Sequence, residues 1–421
     1  MDPSVMFIVA IAIVYLSVYL VARRIGIERL RERGLELGTP FFIMVKTRRL
    51  NEFLSRSGRR IPRVFFSFGI VMGFLGMILG FWLLLNNMLS FFIAPDMAGP
   101  VVPIIPGVTI TGLPLLYVLL GLAIALVTHE FAHGLAAGRD NIPIKSSGLL
   151  SLVVLFGAFV EPDESIFQDV PPPCPKCPDS SGDAPQDVPS PGLTDDFRTT
   201  KQRLVSRMRL LAAGSFSNMI WSGVMFLLLF NHATLMTIAF NPPSGAFIYQ
   251  IEDGSPASQV LQVGDVVIGL NDTEIRYWYE VSLFMVNATA GSQLTIHTLR
   301  GNFSIVLAPS KSNATRGYIG IYGADYWSPK SGWEWIPGGP MFAFHTQQAL
   351  FWSYMILLSI ALFNLLPVPP LDGDRLLSSG LNLLLRDSAR VKIIMQFVRL
   401  LTLTVILTNI GFTLYLQKGL F

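Results

Sequence analysis

The residues with the clearest chemical potential are His129, Glu130 and His133, which form a His-Glu-x-x-His pattern inside an apolar stretch. In a helix, positions i and i+4 lie on one face, so the two imidazoles can present nitrogens to one zinc ion. Zinc lowers the pKa of a water that it binds to about 7, and Glu130 could take that proton as general base. Three ionisable side chains are costly inside a membrane span, which favours a functional site over a chance match.

A third metal ligand is required, because catalytic zinc usually has three protein ligands and one open position. The best candidate is Asp372, in the segment Asn364-Leu-Leu-Pro-Val-Pro-Pro-Leu-Asp372-Gly-Asp374. Its three prolines break the helix and bring a carboxylate on irregular backbone to the membrane, where a metal is its strongest partner. Asp374 is the competing ligand, and a capping or loop role is the alternative for either aspartate.

The elements that position these residues are predicted to be membrane helices. Only 14% of the residues are charged, against about 25% in soluble proteins. Crossing a bilayer needs about 20 mostly apolar residues. Six stretches approach or meet that length: Ser4–Ala22, Phe65–Leu85, Leu115–Ala137, Leu210–Phe230, Ala349–Leu366 and Leu400–Leu416. Basic residues follow the first stretch and none precede it, which favours a retained span over a signal peptide.

The distribution of lysine and arginine predicts the orientation. Twelve basic residues lie between the first two spans and none between the second and third. By the positive-inside rule, the first, third and fifth loops are cytoplasmic, and both termini and residues 231–348 face outward. All four glycosylation sequons fall in that outward segment, at Asn271, Asn287, Asn302 and Asn313. The prediction is a multi-pass cell-membrane protein.

Composition divides the chain into six segments. They are residues 1–64, a first transmembrane helix and basic cytoplasmic loop; 65–160, a transmembrane half with the His129 motif and a re-entrant hairpin; 161–205, a flexible acidic cytoplasmic loop; 206–242, a transmembrane helix; 243–310, a β-rich module; and 311–421, a C-terminal transmembrane half. The apolar, glycine-punctuated run 141–160 predicts the hairpin, which must be buried in protein or line a wet cavity at membrane depth.

Two local features have alternative interpretations. Residues 41–56 mix apolar and basic side chains, which suits either an interfacial amphipathic helix or a simple positive-inside anchor. Cys174 and Cys177 are the chain's two cysteines, so they build no disulfide framework. They are either half of a four-ligand zinc or redox site or an unassigned loop feature.

These motifs together resemble the site-2 protease family of intramembrane zinc metalloproteases. The His-Glu-x-x-His pattern is followed far downstream by Asn-x-x-Pro-x-Pro-Pro-Leu-Asp-Gly, as in that family. Residues 157–161 resemble the segment that leaves the family's membrane hairpin, and residues 245–275 resemble its inserted PDZ domain. Residues 213–218 resemble its Gly-Pro-x-x-Asn element, although Ser215 replaces the proline. The resemblance covers most of residues 115–375.

The resemblance implies a polytopic α-helical membrane protein with about six transmembrane helices, a membrane-associated β-hairpin and an inserted extracytoplasmic PDZ-like domain. It implies that His129, His133 and Asp372 bind Zn²⁺ and that Glu130 is the catalytic base, with the active site toward the cytoplasm. Asn218 would hold substrate or the oxyanion, or else form an interhelical hydrogen bond.

The expected partners are the lipid bilayer and membrane proteins with a transmembrane segment, which family members cleave in regulated intramembrane proteolysis. The PDZ-like domain would bind a peptide carboxyl terminus or exclude large outer domains, and no nucleic-acid partner is predicted. Two other classes compete with a protease. A zinc transporter would also place His and Asp in the membrane but does not need Glu130, and an inactive scaffold would use the PDZ-like domain alone.

Overall fold

The computed structural model of the chain describes residues 3–25, 30, 35–39, 42–105, 109–152, 155–167, 193–311, 313–336, 338–385 and 387–415. Cys174 and Cys177 lie outside these residues, so their predicted alternatives stay predictions. The chain forms two compact units: the first is Met1–Met225 with Trp352–Phe421, and the second is Phe226–Phe351.

Ten α-helices are present in the described part of the chain. They are α1 (Pro3–Ile25), α2 (Arg48–Arg60), α3 (Arg63–Ile93), α4 (Leu113–Arg139), α5 (Leu193–Phe230), α6 (His232–Met236), α7 (Trp278–Val286), α8 (Met341–Asn364), α9 (Asp372–Leu385) and α10 (Ser388–Tyr415). Five of them, α3, α4, α5 from Lys201, α8 and α10, are long and apolar enough to cross a membrane. Five of the six predicted spans thus coincide with candidate membrane-spanning helices. That α1 also crosses stays a prediction.

A four-stranded antiparallel sheet accompanies the helices of the first unit. Its strands are β1 (Leu35–Thr39), β2 (Phe42–Lys46), β3 (Ile144–Leu152) and β4 (Leu155–Pro162), in that order across the sheet. Strands β3 and β4 form at the residues where the sequence predicts a hairpin. Neither interpretation of residues 41–56 anticipated β2, which forms because its backbone pairs with β3 from Phe42–Leu152 to Lys46–Gly148. Only the part from Arg48 is helical.

Helix α2 packs closely on the half of α4 that carries the two histidines. Leu54 is fully buried there. A Cβ at Gly58 would lie 2.1 Å from the Leu135 carbonyl oxygen, and one at Gly138 would lie 2.8 Å from the Leu54 carbonyl oxygen. Small residues allow two helices to approach this closely. The contact holds the carboxyl-terminal half of α4 in place.

A buried ion pair fixes the end of α4. Asp140 follows the last helical residue, and its side chain is only 3% exposed. Arg209 of α5 donates to both of its carboxylate oxygens, at 2.6 and 2.8 Å, and Arg63 at the start of α3 lies 3.5 Å away. A buried carboxylate needs such partners. Asp140 therefore joins α4 to α5 and α3.

Helix α5 begins earlier than predicted. Residues 193–205 were expected to belong to a flexible loop, but they form its first turns. Lys201, Gln202 and Arg203 have good helix propensity, so a polar composition does not exclude a helix there. Residues 168–192 of the predicted loop lie outside the described residues.

The second unit contains an antiparallel sheet around one apolar core. Its strands are β5 (Ala246–Ile251), β6 (Val266–Leu270), β7 (Thr273–Glu274), β8 (Gln293–Thr298), β9 (Gly301–Val306) and β12 (Ile321–Asp325), and β10 (Ala308–Pro309) pairs separately with β11 (Gly317–Tyr318). The order is β12-β5-β6-β8-β9, with β7 beside β6. The sheet extends past the predicted module end at residue 310, because β12 pairs with β5.

An ion pair links β6 to the β8–β9 turn. Arg300 donates to the two oxygens of Asp265 at 2.8 and 2.7 Å, and the Gln262 backbone N–H donates at 2.8 Å. The hydrogen bond from Arg300 holds the pKa of Asp265 below its ordinary value. The carboxylate therefore stabilises the folded module above the ordinary pKa, and this contribution is lost as the pH falls through the lowered one.

We expect Asp265→Asn to speed amide hydrogen exchange in β6 and β8 by about tenfold or more at neutral pH, because the charged partner of Arg300 is lost. The measurement is exchange mass spectrometry on the full-length chain. Exposed Asp253 offers the control, and Asp253→Asn should leave exchange unchanged. Equal protection in wild type and Asp265→Asn at neutral pH would show that the pair does not stabilise the module.

Candidate active site

The two histidines and Asp372 meet at one point of the first unit. His129 and His133 lie one turn apart on α4, and their Nε2 atoms are 3.0 Å apart. Asp372 is the first residue of α9, and its Oδ2 lies 3.3 Å from each of these nitrogens. Tetrahedral zinc with ligand distances of about 2.0–2.2 Å requires donor atoms roughly 3.3–3.6 Å apart. The three donor atoms, 3.0–3.3 Å from one another, lie close to this spacing and could hold a single metal ion.

The chain reaches Asp372 through a tight approach after α8. That helix ends at Asn364, and Leu365 and Leu366 are buried directly after it. A Cβ at Gly373 would lie only 1.9 Å from the Leu365 carbonyl oxygen, so this position tolerates only glycine without a shift of the backbone. The close contact places the start of α9, and with it the carboxylate, beside α4.

Asp374, the competing ligand, has another partner. Arg399 of α10 donates to its two carboxylate oxygens at 2.6 and 2.7 Å, and Asp374 is buried. A bidentate pair of this kind satisfies a buried carboxylate. The structure thus joins Asp372, and not Asp374, to the histidines.

The ring of His133 is oriented by the backbone of α5. Its Nδ1 lies 2.8 Å from the Leu210 carbonyl oxygen, which can only accept a hydrogen bond. The proton therefore sits on Nδ1, which leaves Nε2, on the side that faces Asp372, as the nitrogen that a metal ion would bind. Leu210 was missed by sequence analysis, because a main-chain carbonyl leaves no signal in the residue type.

Space at the site depends on Gly214 of α5. A Cβ there would lie 2.5 Å from His129 Nε2 and 2.6 Å from His133 Nε2. Any side chain would occupy the volume in front of both nitrogens, where a metal held by the two rings would lie. Sequence analysis noted this glycine as part of the Gly-Pro-x-x-Asn-like element at residues 213–218, but assigned it no role at the site.

Glu130 is held by the hairpin. The Val160 backbone N–H of β4 donates to its Oε2 at 3.1 Å. This bond uses one of several acceptor positions of a carboxylate. The side chain is only partly buried, so it can still accept a proton from a water molecule at the site.

Asn218 is fully buried on α5, behind the histidines. Its side chain lies 2.9 Å from Thr128 Oγ1 and 3.5 Å from His129 Nδ1. Ser215, which stands at the family's proline position, is also fully buried, and within the described residues its hydroxyl has no hydrogen-bond partner. The helix continues through this position without a break.

Comparison with known proteins identifies the family to which the chain belongs. Residues 117–406 match the model of Peptidase family M50, and the chain belongs to this family. The predicted family is therefore confirmed. An uncharacterized protein of Methanocaldococcus jannaschii is 25% identical over 387 residues, which covers 89% of this chain and 84% of the relative.

Two solved PDZ domains also show a likeness. They come from SdrC-like proteins of Listeria innocua and Listeria monocytogenes, with 19% and 22% identity and a TM-score of 0.18 in each case. Each covers 19% of this chain, with 92% and 87% of the respective domain. TM-scores this low do not establish the fold of the second unit, so the PDZ-like assignment stays a prediction.

Proposed function

We propose that this chain is an intramembrane zinc metalloprotease that hydrolyses peptide bonds within or beside the transmembrane segments of membrane proteins. The convergence of His129, His133 and Asp372 carries this proposal. Their donor atoms lie 3.0–3.3 Å apart although they come from distant parts of the chain. The volume left by Gly214 in front of both imidazoles supports it further.

The residues have distinct roles in this proposal. His129, His133 and Asp372 hold the zinc ion, which when bound supplies a Lewis acid for the scissile carbonyl and a water of lowered pKa. Glu130 accepts the proton of the attacking water and passes it to the leaving amine. The hydrogen bond from Val160 keeps the Glu130 carboxylate in a fixed orientation while it does so.

A substrate helix must unwind before it is cut, because its backbone hydrogen bonds are closed. Strand β4 is the edge strand of its sheet. Val160 directs its N–H toward Glu130 and thus away from β3. Residues two and four positions earlier, Ala158 and Phe156, therefore direct their backbone groups to the same side. We infer that the unwound substrate pairs with this edge as an added strand.

Proline at Phe156 tests this pairing. Phe156→Pro and Phe156→Ala both remove the exposed ring, but only proline also removes the N–H offered to the substrate. We expect cleavage by Phe156→Pro to be about tenfold slower than by Phe156→Ala, as the loss of a hydrogen bond or two would give. Zinc content should be equal in both variants. Equal cleavage rates would argue against strand addition at β4.

We also propose the membrane side on which the active site lies and the role of the second unit. The active site faces the cytoplasm, and the second unit is an extracytoplasmic PDZ-like domain that binds a substrate carboxyl terminus or filters substrates by size. The sequon asparagines Asn271, Asn287, Asn302 and Asn313 are all exposed in this unit, which supports an outward placement.

Purified full-length chain in lipid nanodiscs, incubated with a set of single-span membrane proteins, tests the proposal. We expect at least one substrate to be cut near its transmembrane segment. A chelator should stop cleavage, added zinc should restore it, and Glu130→Ala should give no product. Zinc flux across vesicles without any cleavage would favour a transporter, and protein that binds no zinc would favour a scaffold.

A further inference from the structure

One face of helix α2 carries a row of arginines around an accessible phenylalanine. The four residues of this row recur at helical spacing, so they share one face, and all are exposed: Arg49, Phe53, Arg56 and Arg60. Phe53 is 58% exposed. The side chains of the row line a shallow hollow of about 290 Å³. This face of α2 is therefore both cationic and apolar.

The protein itself does not neutralise this row. Arg56 lies 3.8 Å from Glu52, the one acidic residue in the sequence of α2, and both side chains are largely exposed. In the part of the chain that the structure describes, the side chains of Arg49 and Arg60 have no hydrogen-bond or ion-pair partner. The opposite face of α2 packs on α4, where Leu54 is fully buried. The row therefore points outward, with two guanidinium groups open to an external anion.

The row lies where the chain enters the membrane. Helix α2 ends at Arg60, and α3, which is long and apolar enough to cross a membrane, begins at Arg63. Three apolar side chains in the first turns of α3 are exposed, as lipid-facing side chains would be: Val64, Phe65 and Phe68. The short connection keeps the end of the row close to this lipid-facing surface. Anionic headgroups attract basic side chains at that depth, and an exposed aromatic ring inserts at the acyl boundary.

We propose that Arg49, Arg56 and Arg60 bind the phosphate headgroup of an anionic phospholipid in the leaflet where α3 begins, with the Phe53 ring inserted beside the acyl chains. A guanidinium group can bind two phosphate oxygens at once, which suits it to this ligand. For a simple positive-inside anchor the number of basic residues matters and their arrangement does not. A lipid site requires the row itself. The site does not depend on the proposed protease activity.

Binding of the first phosphatidylglycerol molecule to the purified full-length chain, measured by native mass spectrometry in detergent, tests the site independently of cleavage. The double variant Arg49→Gln/Arg60→Gln should bind this lipid about 25-fold more weakly, because one basic residue at a phospholipid surface contributes a factor of about five. Phosphatidylcholine, which has no net charge, should bind the wild type and the variant equally. Glutamine is a good helix former, so α2 should be retained.

The same helix supplies a charge-matched control. Arg48 and Arg59 are also exposed, but they lie about 90° around the helix from the row. The double variant Arg48→Gln/Arg59→Gln removes the same charge from the same helix, and it should bind phosphatidylglycerol nearly as the wild type does. An equal loss of affinity in the two double variants would show a diffuse attraction to the basic helix and would overturn the inference.

Phe53→Ser distinguishes a lipid from a free anion. This variant should bind phosphatidylglycerol several-fold more weakly, because the ring no longer packs beside the acyl chains. Excess inorganic phosphate should not displace the lipid from the wild type. If phosphate displaces the lipid and Phe53→Ser binds the lipid as the wild type does, the hollow binds a free anion and the lipid assignment is wrong.

Discussion

Replacing Glu130 by glutamine is expected to lower the cleavage rate about 10²–10⁴-fold, which is the range that general acid–base catalysis contributes. Glutamine has the same shape and still offers an oxygen to the Val160 N–H, which lies 3.1 Å from the native carboxylate. It cannot accept the proton of the attacking water. The substitution therefore removes the chemistry and retains the local structure.

The measurement is single-turnover cleavage of one membrane substrate, together with zinc content by mass spectrometry. Zinc should remain at the wild-type level, because Glu130 is not among the three residues whose donor atoms converge. A Glu130→Gln protein that cleaves at more than about a tenth of the wild-type rate would exclude Glu130 as general base.

Adding one methyl group at Gly214 should have an effect of comparable size on zinc binding. The Cβ of Gly214→Ala would lie 2.5–2.6 Å from the Nε2 atoms of His129 and His133. Because α5 and α4 are packed together, the rings or the helix must shift, and misplacement by about 1 Å can cost roughly 100-fold in catalysis. We expect cleavage to fall at least that far and zinc affinity to fall with it.

The same helix supplies a matched control. Gly223 has no atom within 4 Å of the position that a Cβ would take. Gly223→Ala should therefore fold, bind zinc and cleave as the wild type does, with a slightly more stable helix, since alanine is the better helix former. Wild-type zinc affinity in Gly214→Ala would show that the metal does not lie where the three donors converge.

Much of the helical framework could be predicted from composition, because a membrane span is a long local signal. The central residues of α4 and α10 were predicted in this way. The predicted ends of the helices were less accurate. Helix α5 extends back to Leu193 through polar residues, and α3 continues to Ile93, eight residues beyond the predicted end. The polar start of α5 carries no hydropathy signal, and Asn86 and Asn87 interrupt the apolar run of α3, which explains these differences.

Strand β2 shows why other parts could not be predicted. The local sequence of this strand is typical of a basic amphipathic segment. Its strand conformation depends on pairing with β3, about a hundred positions later. Such non-local pairing is not encoded in local periodicity. The three residues that converge at the site were found because their residue types are rare in apolar sequence. The roles of Gly214 and of the Leu210 carbonyl were not predicted, because these groups contribute space and a backbone acceptor and no distinctive side chain.

Zinc X-ray absorption on the purified full-length chain tests the central claim most directly. We predict one zinc per chain, coordinated by two imidazole nitrogens and oxygen at about 2.0–2.2 Å, with no sulfur. Asp372→Ala should lose the signal or change it. Sulfur ligands at about 2.3 Å would place the metal at Cys174 and Cys177 instead. That result, or a spectrum that Asp372→Ala leaves unchanged, would contradict the account.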